Sequence, residues 1–84
     1  MVHKLKILES YADAILEGRK NFEVRLNDRG YNTGDLVEFK VLHHNGRKFT
    51  KHIVAHKTYR ITYVHSGLGM QDNYVVFGIK EVTQ

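Results

Sequence analysis

The chain has 84 residues, no cysteine and no proline, and thirteen Lys and Arg against nine Asp and Glu give it a net charge of +4. A chain this short buries only about 60% of its unfolded surface, so a single core spanning residues 1–84 is expected, with neither disulfides nor thiolate metal sites. No apolar run approaches the ~18 residues of a membrane span, and MVHKLKILES is too short and too charged for a signal peptide, which predicts a cytoplasmic monomer that avoids the membrane. Residues 3–8 alternate, with Leu5 and Ile7 on one face and Lys4 and Lys6 on the other, as a half-buried strand does. A helix follows. Ser10 is placed to cap it, Asp13 stands three residues on as in a capping box, and Tyr11, Ala12, Ile15 and Leu16 form an apolar stripe that Gly18 ends.

From Asn21 the period changes to two, which predicts a strand with Phe22, Val24 and Leu26 filling the core and Glu23 and Arg25 pointing outward beside Lys20. After the irregular NDRGYNTGD, alternation resumes over 36–42, and Asn45-Gly46 in HHNGRK signals a hairpin whose returning strand runs over 48–54. After a bend near Ala55, residues 58–64 form another strand, and the glycine-bearing HSGLGMQDN precedes a last one over 74–82. One early helix and five or six short strands with hairpin connections predict an α+β protein built on a small, closed or nearly closed antiparallel β-barrel.

Polar chemistry is concentrated at GRKNFEVRLNDRGYNTGD, residues 18–35. Between Phe39 and Gln71 no acidic residue occurs, while Lys40, Arg47, Lys48, Lys51, Lys57 and Arg60 do, along with five of the six histidines. That one-signed span is a footprint suited to phosphate-bearing partners. A solvated strand face whose lysines guard edge strands would look the same.

The run Gly18, Lys20, Glu23, Arg25 resembles the GxKxxExR motif of the ASCH superfamily, whose fold is a PUA-like barrel with helices. FEVRLNDRGYNTGD is similar to the FEIRxNDRxFxxGD pattern of a small stand-alone ASCH-like family of bacteria and their phages, described as of unknown function, and HKLKIL and YVVFGIK resemble its first and last strands. The resemblance implies RNA or nucleotide binding in a cleft that bears Lys20, Glu23 and Arg25, with Asn27, Asp28 and Arg29 and then Gly34 and Asp35 belonging to the smaller family's pattern. Arg25 and Arg29 can fork onto phosphate or a base edge, Glu23 can accept from an exocyclic amine, and Tyr31 in its loop can stack on a base.

Other readings stay open. Glu23 and Arg25 can pair with each other, or Arg25 with Asp28 or Asp35, as a purely structural closure. Asp35 can serve the turn after Gly34, and Lys20 can be a cation at a helix C-terminus. A protein-interaction module of phage type, with an unknown protein partner, is a third reading. Some ASCH-fold proteins hydrolyse acetylcytidine with the motif lysine and a threonine three residues on; here Glu23 occupies the threonine position and offers no hydroxyl. A catalytic role would then fall to Glu23 as general base, with Lys20 or Arg25 stabilising an oxyanion, in a nucleoside amidohydrolase or ribonuclease. No cofactor is expected. No metal is expected either, because His52 and His56 on a strand lie about 13 Å apart and His43 and His44 would face opposite ways. His65, beside the glycine loop, is the histidine placed to carry a proton.

Overall fold

The structure is a computed structural model that describes residues 1–83. Strand β1 (Val2–Leu8) turns its odd positions His3, Leu5 and Ile7 inward, as the alternation predicts for the two aliphatics, and runs directly into helix α1 (Glu9–Leu16). Leu8 therefore holds the N-cap position, with no side-chain cap. The predicted cap at Ser10 is displaced: it lies inside the first turn, and Asp13 accepts instead from His52 Nε2 at 2.8 Å. Beyond Glu17, Gly18 N donates to Ile15 O and Arg19 N to Ala14 O at 2.9 Å, the paired bonds of a Schellman end that needs the φ of 79° found at Gly18.

Strands β2 (Phe22–Leu26), β3 (Leu36–Leu42), β4 (Thr58–His65) and β5 (Tyr74–Glu81) complete a five-stranded sheet in the order β1-β3-β4-β5-β2. The sheet curls into a half-barrel, the α+β architecture the sequence predicts. β1 pairs with β3 in parallel and the other pairs are antiparallel. The parallel pair follows from connectivity, since α1 and β2 intervene and return the chain to the end where β1 began. β1 and β2 are the two edges, and the seam between them is crossed by Arg25 Nη2 donating to Lys6 O at 2.6 Å.

Leu5, Val37, Val41, Ile61, Val75 and Phe77 fill the concave side, and Ala12 and Ile15 of α1 cover one flank. A register shift between Ile61 and Tyr63 makes a bulge in β4, and a Cβ on Gly78 would come within 2.5 Å of Thr62 Oγ1, so a glycine fits there.

The sequence expectation over 48–54 differs from what forms. His43 N donates to Lys48 O and Thr50 N to Val41 O, and Leu42 bridges Phe49, so the hairpin at Asn45-Gly46 exists but closes after a single bridge. The chain then turns into a 3₁₀ helix, Ile53–His56, which buries Val54 completely while His52 Nδ1 accepts from Val54 N. Burying Val54 and joining His52 to Asp13 of α1 outweigh a longer ladder on an open edge.

Candidate functional site

The Schellman end of α1 also sets the site. Ala14 O accepts from both Arg19 N and Lys20 N, which redirects the chain so that the Lys20 ammonium reaches back over the start of β2. There it donates to Glu23 Oε1 and to Phe22 O, and Arg25 Nε donates to Glu23 Oε2 at 2.9 Å. The spacing of Gly18, Lys20, Glu23 and Arg25 thus has a physical reading: a left-handed glycine aims a lysine, and residues two apart on a strand bring carboxylate and guanidinium to one face.

That face is the inner one, which reverses the expected orientation of β2. Glu23 is 4% exposed and Val24 52%, and Phe22 and Leu26 are also exposed. In register, Glu23 stands opposite Phe77 and Arg25 opposite Val75, both buried residues of β5. The inner wall at the seam is therefore ionic. Each oxygen of Glu23 is held by a cation, so the carboxylate is a structural partner first and a poor candidate for reading a base edge unaided.

The other residues implied by the resemblance separate. Tyr31, expected in a loop as a stacking platform, is 5% exposed, packed between the His3 ring at 4.7 Å and the Phe77 ring at 4.8 Å. Burial raises its phenol pKa, and Arg25 and Arg29 oppose that rise. It is not available to a base. Asn27 is occupied with backbone: its N–H donates to Asn73 O at 2.7 Å and its Oδ1 accepts from Tyr31 N. Asp28 and Arg29 form an exposed neighbouring pair 3.9 Å apart, away from the cleft described below. Asp35 serves the turn, accepting from Asn32 N, and also from His3 Nε2 at 2.8 Å. His65 Nε2 is bonded to Leu68 O at 2.8 Å, inside its own loop.

Lys20, Glu23 and Arg25 do share one cleft, of about 820 Å³, between α1, β1 and β2 along the open seam. Its walls add Lys6, Tyr11, Arg19, Phe22 and Tyr74, none of which the sequence pattern places among the site residues. Tyr11 and Phe22 are half exposed, and the Lys20 ammonium lies 5.4 Å and 5.0 Å from their ring centroids. The sequence pattern puts Tyr11 in the apolar stripe of α1 and Phe22 on the core face of β2; both instead lie exposed along the seam, whose position the pattern does not give. Lys6 stands opposite Lys40 in register, and both ammoniums sit over the exposed Phe49 ring, at 6.0 Å and 5.6 Å.

Among the described residues no helix is long and apolar enough to cross a membrane. No curated protein matches the chain. A family model does, over residues 2–79, and the chain belongs to that family, described as Domain of unknown function (DUF3850).

Proposed function

We propose that this chain is a binding module of the ASCH, PUA-like kind that takes RNA or a nucleotide in the seam cleft. One observation carries the reading: four cationic side chains, Lys6, Arg19, Lys20 and Arg25, line the cleft around one buried, fully paired carboxylate, with the Tyr11 and Phe22 rings at hand. Cations favour phosphate and exposed rings offer a sequence-tolerant surface for a base. The stacking role expected of Tyr31 passes to Tyr11 and Phe22. Two lysines placed opposite each other in a sheet are costly, and Lys6 with Lys40 extends the cationic surface from the cleft toward the hairpin, where a polyanion would relieve the repulsion.

The test is titration with cytidine monophosphate and with a short single-stranded RNA, followed by NMR at residues 6, 11 and 19–25. Affinity for the RNA should fall with salt at a log-log slope of about −0.7 per phosphate contacted. Arg19→Ala should weaken binding with little change in melting temperature, because its side chain is exposed outside the buried ionic cluster. Tyr11→Ala should weaken binding at a small stability cost, since half the ring is covered and the Lys20 ammonium lies over it. Absence of salt-sensitive binding to RNA, DNA and mononucleotide at low ionic strength would overturn the reading. Turnover of acetylcytidine or cleavage of the RNA would replace it with the hydrolase reading.

A further inference from the structure

Parallel strands that stay in register release their chains at the same end. β1 and β3 pair from Val2 with Leu36 to Leu8 with Leu42, so Glu9, the next residue after one, and His43 and His44, the next after the other, emerge together. One ligand atom from each of the three lies within 4.8 Å of the others, and the two imidazole centroids are 3.8 Å apart. The expectation that His43 and His44 face opposite ways holds only inside a strand; the strand ends at Leu42 and the alternation ends with it.

A second observation points to a ligand. His43 Nδ1 is shielded from solvent and has no hydrogen-bond partner among the described residues. A buried polar nitrogen left unpaired is costly, and a bound cation or an ordered solvent group are the usual remedies. The backbone around it is fixed, since His43 N donates to Lys48 O and His43 O accepts from Gly46 N, both at 2.7 Å. Glu9 is fixed as the first residue of α1.

We propose that Glu9, His43 and His44 form a site for a divalent first-row transition metal, zinc being the representative ion. Donors bound tetrahedrally to one such ion at about 2.0–2.2 Å lie roughly 3.4 Å from one another, so side-chain rotations that bring the donors closer by about 1.5 Å close the site. Two imidazoles and a carboxylate suit zinc and its neighbours and not the all-oxygen preferences of calcium or magnesium. Three protein ligands leave a position open, and exposed His44 gives the ion a path in. The positive end of the α1 dipole opposes a cation, and the Glu9 carboxylate offsets it. The site shares no residue with the Lys20–Glu23–Arg25 cluster, although its chain neighbours Leu8, Ser10 and Leu42 line the seam cleft, and the zinc measurement does not depend on the nucleotide reading.

Zinc chloride titrated calorimetrically into the tag-free full chain should bind at one ion per chain, with cobalt(II) giving a visible absorption that zinc abolishes. NMR of the imidazole nitrogens should show His43 and His44 shifting on saturation while His56 and His65 stay. His44→Ala, at an exposed position, and Glu9→Gln should each keep the fold and weaken zinc by about tenfold or more, at least the loss that follows removal of a ligand's own support. His65→Ala should leave it unchanged. No stoichiometric binding up to millimolar zinc, or binding that is as tight in His44→Ala and Glu9→Gln as in the native chain, overturns the proposal.

Discussion

β5 and β2 are neighbours in one sheet, paired without a register shift, yet β5 buries its most apolar face and β2 its polar one. β5 turns Val75, Phe77 and Ile79 into the core. β2 turns Glu23 and the half-buried Arg25 to the same side and leaves Phe22, Val24 and Leu26 exposed. Alternation fixes which residues share a face; what lies on each side decides which face goes in. β5 has partners on both edges and apolar elements beneath it, whereas β2 borders the open seam, where Lys20 from the end of α1 and the Lys6 carbonyl of β1 supply ionic and polar partners for the inner face. The exposed apolar side of β2 then becomes a wall of the cleft.

The largest expected effect tests whether the inner face of β2 is structural. Glu23→Gln keeps the shape and removes the charge that compensates Lys20 and Arg25. Breaking a buried pair by removing one partner costs about 3–5 kcal/mol, and because Arg25 is partly exposed the lower end applies, about 3 kcal/mol. That is a large fraction of the roughly 5–10 kcal/mol available to a domain this small. Urea unfolding should show a lower midpoint with an unchanged slope. An unchanged midpoint would mean that Glu23 faces solvent, as its polarity alone suggests, and that β2 and β5 follow the same rule after all.

Much of the fold is legible in the sequence because local signals agree with the tertiary outcome. The alternation of β1, β3, β4 and β5, the helical stripe with its glycine end and the turn at Asn45-Gly46 all find their elements. What is not legible depends on distant partners. Glu23 is buried because of Lys20 and Arg25, Tyr31 because the His3 and Phe77 rings flank it, and residues 50–56 leave the strand because Asp13 and a pocket for Val54 await them. In the site, the Lys20, Glu23 and Arg25 grouping is readable from spacing. The cleft's aromatic walls are not, since they face each other only once β1 and β2 are known to be the unpaired edges.

A smaller effect sharpens the comparison at β1, which obeys the apolar rule except at His3. His3 is buried and its Nε2–H donates to Asp35. That hydrogen bond holds the Asp35 carboxyl below its ordinary value, against some desolvation and with help from the Asn32 N–H. A carboxyl whose folded value is depressed contributes stability above its unfolded value of about 4 and loses it as pH falls through the lower folded value. The stability difference between the native chain and Asp35→Asn should therefore be full at pH ~6 and shrink steadily below about pH 4. A difference that stays constant from pH 6 to acid unfolding would remove the ionic contribution and leave a turn role alone.

The smallest effect on stability is the most pointed test of which side of β2 faces the ligand. Val24 is a cleft-lining residue on an edge strand, half exposed, so Val24→Asp should cost no more than about 1 kcal/mol, mostly lost β-propensity. Had Val24 pointed into the core, as its apolarity suggests, the same change would bury a carboxylate and unfold the domain. Binding should respond quite differently. A carboxylate roughly 7 Å from a bound phosphate repels it by about 0.6 kcal/mol at the dielectric of water and about 2.4 kcal/mol at an effective value of 20, which brackets a roughly tenfold loss at low salt. Screening should shrink that loss as salt rises toward ~1 M, where the Debye length falls to about 3 Å. Val24→Lys should shift affinity the other way with a similarly small change in melting. Variants that fold normally and bind RNA and mononucleotide exactly as the native chain does would place the phosphate elsewhere, and the exposed apolar face of β2 would need a different partner.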